Sequence, residues 1–260
     1  VRELADFLNT ETWIFDLDNT LYPAESKVFT QIDKRMNEFI AVTIGMSMEE
    51  AAGLRRNYYL EYGTTLAGLM RNYGSDPHKF LDYVHDVDLS PIEEAPELRQ
   101  ALASLPGRKF IFTNGSRRHA ERVAERLGVS EHFDDVFDIA AAEFTPKPTL
   151  EAYERFLERL DVRPRSAAMF EDLPANLEKP HFLGMRTVLV TVKGPDHPAA
   201  EETARWERPP EHIHHVTDDL TMFLTDVLDW IGAPAKNAKP IDNGAAHVPK
   251  TVNLGSGKQS

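Results

Sequence analysis

Between Pro23 and about residue 90 the apolar positions recur at helical spacing, and no alternating run interrupts them. Val28, Ile32, Met36, Phe39 and Ile40 share one face of a first helix, and Lys34, Arg35 and Glu38 take the other. Gly45 closes it. Ser47 with Glu50 forms a capping-box pair that opens a second helix, in which Leu54, Tyr58 and Tyr62 share a stripe that ends at Gly63. Thr65–Tyr73 and Pro77–Val84 read as two further short helices, parted by Gly74, Ser75 and Asp76. The pattern predicts a four-helix segment with no strand.

On either side the pattern differs. Residues 12–15 form a β-branched and aromatic run without charge, which suits a buried strand of a parallel sheet. From Pro91 helices and strands alternate: helices over 97–105, 117–127 and 150–160, and strands over 109–113, 136–139, 167–170 and 187–192. This grammar predicts an α/β fold, a parallel sheet flanked by helices, with the all-helical segment inserted after the first strand. Residues 1–22 and 91–232 then make the sheet domain and 23–90 the insertion. The first ten residues read as a short amphipathic helix, and Pro180 as the kink or start of a helix. From Ala233 the chain turns to Ala, Pro, Asn, Gly, Lys and Ser, so 233–260 is expected to be a disordered tail.

Composition narrows the partners. The formal net charge is -13, from 42 acidic and 29 basic residues among 260, with no basic stripe interleaved with aromatics, which argues against polymeric nucleic acid. There is no run of about 18 apolar residues and no apolar stretch at the N-terminus, so neither a membrane span nor a signal peptide is expected, and the cytoplasm is the expected compartment. The absence of cysteine excludes disulfides and thiolate chemistry, and any metal must be held by oxygen or imidazole.

Candidate chemistry gathers at strand ends. Asp16 and Asp18 follow the first strand in D-L-D-N-T-L; two carboxylates so close repel each other unless a proton or a cation lies between them. Asn19 tolerates positive φ, Thr20 offers a hydroxyl and Leu21 returns to the core. Thr113, Asn114, Gly115 and Ser116 end the second strand, where a hydroxyl and amides freed by a glycine turn suit an anion. Lys147 stands between two prolines that fix its backbone. Glu171 and Asp172 close another apolar strand, with Asn176 four residues further on.

These four groups, in this order, resemble the four motifs of the haloacid dehalogenase superfamily, the aspartate-nucleophile phosphatases. The resemblance covers about residues 12–192 and implies a Rossmann-like core with a helical cap. It implies Asp16 as nucleophile and Asp18 as acid and base. Thr113, Asn114 and Gly115 with Lys147 would hold the phosphoryl group. Mg²⁺ would sit on Asp16, the Asp18 carbonyl, Asp172 and Glu171. Asn176 would hydrogen-bond this shell. Dehalogenase members lack the second acid, so Asp18 favours phosphate chemistry.

Longer runs, D-N-T-L-Y-P, Y-G-T-T-L-A-G-L-M, H-D-V-D-L-S and the fifteen-residue stretch from Glu171 to Met185, resemble the pyrimidine 5'-nucleotidase branch. That implies a nucleoside monophosphate of the UMP or CMP type as substrate. In the cap, Tyr22, Tyr58, Tyr59 and Tyr62 are candidate stacking surfaces, and Thr64, Thr65, Arg71 and His85 candidate polar contacts for a base or ribose. Arg117, Arg118 and His119 read as a solvated helix face. The alternatives are a phosphatase for a sugar phosphate or phosphoglycolate, a phosphomutase, or an idle nucleotide-binding module.

Overall fold

A computed structural model describes residues 4–192 and 197–232. In chain order the elements are β1 (Thr12–Phe15), α1 (Val28–Ile44), α2 (Met48–Tyr62), α3 (Thr65–Tyr73), α4 (Pro77–Val84), α5 (Pro96–Ser104), β2 (Arg108–Phe112) and α6 (Arg117–Leu127). They continue with β3 (Asp135–Phe137), α7 (Leu150–Arg159), β4 (Ala167–Glu171), α8 (Ala175–Leu183), β5 (Arg186–Val190), α9 (Ala200–Ala204), β6 (His215–Thr217) and α10 (Leu220–Gly232).

The six strands form one parallel sheet in the order β3-β2-β1-β4-β5-β6. Every residue of β1 and β4 is buried, as both faces of a parallel sheet must be. Side chains alternate between the faces. Trp13, Phe15, Ile111, Ala168 and Phe170 pack with α5, α6 and α10, while Ile14, Phe110, Phe112 and Met169 pack with Tyr153 and Phe156 of α7 and Leu177 of α8. The order reverses between β1 and β4, and in open α/β sheets ligands bind outside the C-terminal strand ends at such a point.

The helical insertion follows its sequence pattern. Val28, Ile32 and Ile40 of α1, Tyr58 of α2, Leu66 and Leu69 of α3, and Phe80, Leu81 and Val84 of α4 are buried. The capping box forms, with Ser47 Oγ accepting from Glu50 N and the Glu50 carboxylate accepting from Ser47 N. α3 lies so close to α2 that a Cβ added at Gly68 would stand 2.3 Å from Tyr58 Cγ.

Several expectations change. The lead-in segment is a single 3-10 turn, Leu4–Phe7, rather than an amphipathic helix. The third strand spans Asp135–Phe137 and the fifth Arg186–Val190, each ending two residues earlier than the alternation suggested. Beyond the fifth strand, where the pattern predicts no element, α9, β6 and α10 are found. Three residues are too few to display a period of two, so β6 carries no pattern of its own. Pro180 lies inside α8. The expected tail, 233–260, lies outside the described residues. Among the described residues no helix is long and apolar enough to cross a membrane.

Candidate active site

The end of β1 is tied to β4 by one bond past the strand, Asp16 N to the Phe170 carbonyl at 2.9 Å. Asp16 is thereby set beside Glu171 and Asp172, and ligand atoms of the three carboxylates lie within 4.8 Å of one another. Lys147 fills the gap between two of them. Its Nζ donates to Asp16 Oδ1, Glu171 Oε1 and the Phe112 carbonyl, each at 2.7 Å, and the residue is only 1% exposed.

The loop that carries Lys147 is held by a reciprocal amide pair. Lys147 N donates to Asn114 Oδ1 at 2.8 Å, and Asn114 Nδ2 donates to the Lys147 carbonyl at 3.1 Å. The Asn114 side chain is thus committed to Lys147, whereas its backbone N–H has no partner among the described residues. Thr113 Oγ1 accepts from Gly115 N at 2.9 Å, which folds the turn tightly over the end of β2. Thr20 Oγ1 is buried with no partner, and Asn19 adopts the expected positive φ of 63°.

Glu171 accepts three hydrogen bonds. Its Oε1 accepts from Lys147 and from Asn176 Nδ2 at 2.6 Å, and its Oε2 from Leu173 N at 2.9 Å. Asn176 therefore meets the acidic group as expected. Asp172 Oδ2 pairs with His197 Nε2 at 2.7 Å.

Electrostatics follow from this burial. Burial and the neighbouring Glu171 push the Asp16 carboxyl up to about 7, against the pull of Lys147. Burial and Asp172 push Glu171 up to about 7 as well. Lys147, despite its own burial, is held above the usual lysine range by Asp16 and Glu171. Three carboxylates around one ammonium leave surplus negative charge in a dry site, and a hard divalent cation fits that donor set. Among the described residues no N–H reaches the second oxygen of Asp16 or of Asp172, and Glu171 Oε2 accepts a single bond, so each of the three keeps a lone pair for a cation.

The Asp18 side chain turns away from this cluster. Its Oδ1 accepts from Tyr22 Oη at 2.5 Å and pairs with His119 Nε2 at 2.9 Å. Burial opposes its charge, yet His119 and Tyr22 hold the carboxyl below the ordinary range. The expected solvated face of α6 is therefore corrected. His119 is fully buried, and Arg117 is engaged with Asp135 and Val136 of β3; only Arg118 is exposed. The signal was present in phase, since His119 lies four residues before the buried Val123 on the apolar side of the helix. His197 carried no such signal.

Of the candidate recognition groups, Tyr22 is buried against Asp18. The Thr64 hydroxyl caps α3 by accepting from Ala67 N, Thr65 is buried, and the Arg71 guanidinium lies 5.6 Å from the Tyr62 ring centre. Tyr58 is packed under Gly68. His85 Nδ1 is 2.9 Å from Ser116 Oγ, and burial and His119 push its imidazole down to about 3. Tyr59 of α2 remains half exposed, and burial with the charges of Asp172 and Glu171 pushes its hydroxyl up to about 12. The α2–α3 turn reaches the lysine loop, for a Cβ at Gly63 would stand 3.7 Å from Pro146 Cγ.

Comparisons with known proteins bear on the family and the fold. The sequence model of the haloacid dehalogenase-like hydrolases matches residues 10–178. Phosphate metabolism protein 8 of Saccharomyces cerevisiae is 32% identical over 138 residues, covering 48% of this chain and 42% of the yeast protein. The chain thus matches less than half the length of that curated relative. L-2-haloacid dehalogenase from Xanthobacter autotrophicus, with chloropropionic acid covalently bound, superposes with a TM-score of 0.52 at 16% identity, over 87% of this chain and 100% of its own. CbbY from Rhodobacter sphaeroides, in complex with phosphate, gives a TM-score of 0.56 at 20% identity over 85% and 99%.

Proposed function

The chain belongs to the haloacid dehalogenase-like hydrolases, and from that premise we propose that it is a phosphomonoester hydrolase acting through an aspartyl phosphate on Asp16. The observation that carries this reading is the second carboxylate, Asp18, held apart from the acidic cluster by Tyr22 and His119. A halide leaves carbon without a proton, but an alkoxide leaving phosphorus needs one, so a separate acid beside the nucleophile suits an ester.

In this reading one carboxylate oxygen of Asp16 attacks phosphorus and the other faces the cation. Lys147 and the Asn114 amide, with the Thr113 and Thr20 hydroxyls close by, meet the charge on the phosphoryl oxygens. The anionic ester opposes the charge of Asp18, so the carboxyl takes up a proton as the ester binds, gives it to the leaving oxygen, then takes one from the water that hydrolyses the aspartyl phosphate. Mg²⁺, held by Asp16 and Asp172 with Glu171 adjacent and the Asp18 carbonyl as a further ligand, would neutralise the phosphoryl oxygens. Glu171, with both oxygens accepting from N–H donors, fixes Lys147. Residues 23–90 serve as a cap over the core of 1–22 and 91–232, excluding water and reading the leaving group.

The narrower reading is a pyrimidine 5'-nucleotidase. It is supported by the motif runs in D-N-T-L-Y-P and the cap; the relative whose name ties it to phosphate metabolism supports the broader phosphatase reading. Tyr59, exposed on α2, is the cap aromatic we assign to meet a base.

The test is phosphate release from nucleoside 5'-monophosphates, sugar phosphates and phosphoglycolate, with Mg²⁺ or chelator, in the native chain and in Asp16→Asn. Preference for UMP and CMP, lost with chelator and with the substitution, is expected. Release confined to other esters would discard the nucleotidase reading. Activity that survives Asp16→Asn would discard the mechanism.

A further inference from the structure

Asp18 Oδ1 receives two partners, Tyr22 Oη at 2.5 Å and His119 Nε2 at 2.9 Å, and no hydrogen bond among the described residues reaches Oδ2. His119 has no freedom to do otherwise. It is fully buried, its Nδ1 has no partner, and its ring lies flat on that of His85, with centroids 4.5 Å apart and planes 7° apart. The tautomer with its proton on Nε2 donates to Asp18 and leaves the unpartnered Nδ1 as a bare lone pair. His85, at the C-terminal end of α4, is itself held by Ser116 Oγ at 2.9 Å, and Ser116 caps α6, the helix that carries His119. One chain of contacts therefore runs from the last cap helix to the carboxylate.

We propose that His119, braced by His85 and assisted by Tyr22, is a positioning residue that fixes Asp18 so that Oδ2 alone carries the transferable proton. Two donors aimed at Oδ1 leave no room for a hydrogen there, so a proton on Asp18 resides on Oδ2. As the P–O bond breaks, its electron pair passes to the leaving oxygen, which takes the proton from Oδ2. The same oxygen then accepts a proton from the water attacking the aspartyl phosphate, which restores the starting state. This rests on the phosphatase reading above and adds two residues to it.

A purely structural histidine and a positioning one differ in how their loss depends on the leaving group. An alkyl phosphate such as UMP needs a proton at its leaving oxygen, whereas p-nitrophenyl phosphate expels a stabilised phenolate that needs none. The experiment compares kcat/KM for both esters in the native chain, His119→Leu, His119→Gln and Tyr22→Phe. Since a positioned acid contributes about 100- to 10,000-fold, His119→Leu is expected to lower kcat/KM for the alkyl ester by on the order of 10- to 100-fold. The aryl ester should fall by less than about one fifth of that factor. His119→Gln, whose amide N–H can replace Nε2–H, should recover most of the loss, and Tyr22→Phe should show the same selectivity more weakly. Equal losses on both esters, or no loss in either folded variant, overturn the proposal. Tyr22→Phe keeps the test decisive if His119→Leu does not fold. If UMP is not a substrate, the alkyl ester that the native chain does hydrolyse takes its place; a native chain that releases phosphate from no ester of the panel above, or an active Asp16→Asn, would instead overturn the phosphatase reading beneath it.

Discussion

Replacing Lys147 by methionine is the most informative single perturbation of stability. The ammonium is 1% exposed and bonded at 2.7 Å to Asp16, Glu171 and the Phe112 carbonyl, so its removal strands two buried carboxylates and a carbonyl. Breaking a buried pair from one side costs about 3–5 kcal/mol, a large share of the roughly 5–15 kcal/mol that holds a domain together. At about 2–4 °C per kcal/mol, the melting temperature should drop by about 6–20 °C at pH 8. The loss must shrink in acid. Asp16 and Glu171 are pushed up to about 7 even with Lys147 present, and higher without it, so the folded variant binds protons that the unfolded chain releases above about pH 4. Its stability therefore falls as pH rises through that window. Lys147 itself stays charged throughout, because its raised value places its own titration above the ordinary lysine range. Urea unfolding at pH 5.5 and pH 8 measures both terms, and adding Glu171→Gln to the variant should return about 1 kcal/mol or more at pH 8. A variant within about 1 kcal/mol of the native chain at pH 8, or a deficit that does not shrink at pH 5.5, would refute the reasoning.

Two further outcomes test other parts of the molecule. Mg²⁺ at about 100 times its Kd should stabilise the fold by about 2.7 kcal/mol near pH 7.5 and by much less at pH 5.5, where Asp16 and Glu171 retain protons that compete with the cation. Asp172→Asn should abolish that thermal shift, and an undiminished shift in the variant would place the cation elsewhere. Gly68→Ala forces a Cβ to 2.3 Å from Tyr58 Cγ, so overpacking should cost about 1–3 kcal/mol in urea unfolding, relieved when Tyr58 is also cut back to alanine.

The four helices of the insertion could be read from the sequence because their boundary signals are local. Ser47 and Glu50, Thr64, Asp76 with Pro77, and the glycines 45, 63 and 74 act within one turn of where they stand. The strands of the core were legible as apolar runs ending in acids, but β6, three residues long and paired only with β5, exists because a neighbour offers it an edge. Its own composition does not demand it.

The same division holds at the site. The sequence by itself determined which residues end β1, β2 and β4, and hence that Asp16, Thr113, Glu171 and Asp172 arrive at one edge of a parallel sheet. It also fixed the conformation of Asn19 and the rigid setting of Lys147. Only the tertiary structure decided the partners. Lys147 reaches Asp16 across 131 residues, His119 reaches Asp18 across 101, and His197 reaches Asp172 across 25. Spacing along a chain carries no information about such pairs. They form because burial makes an unpaired charge costly, and folding then selects whichever donor the packing brings within 3 Å.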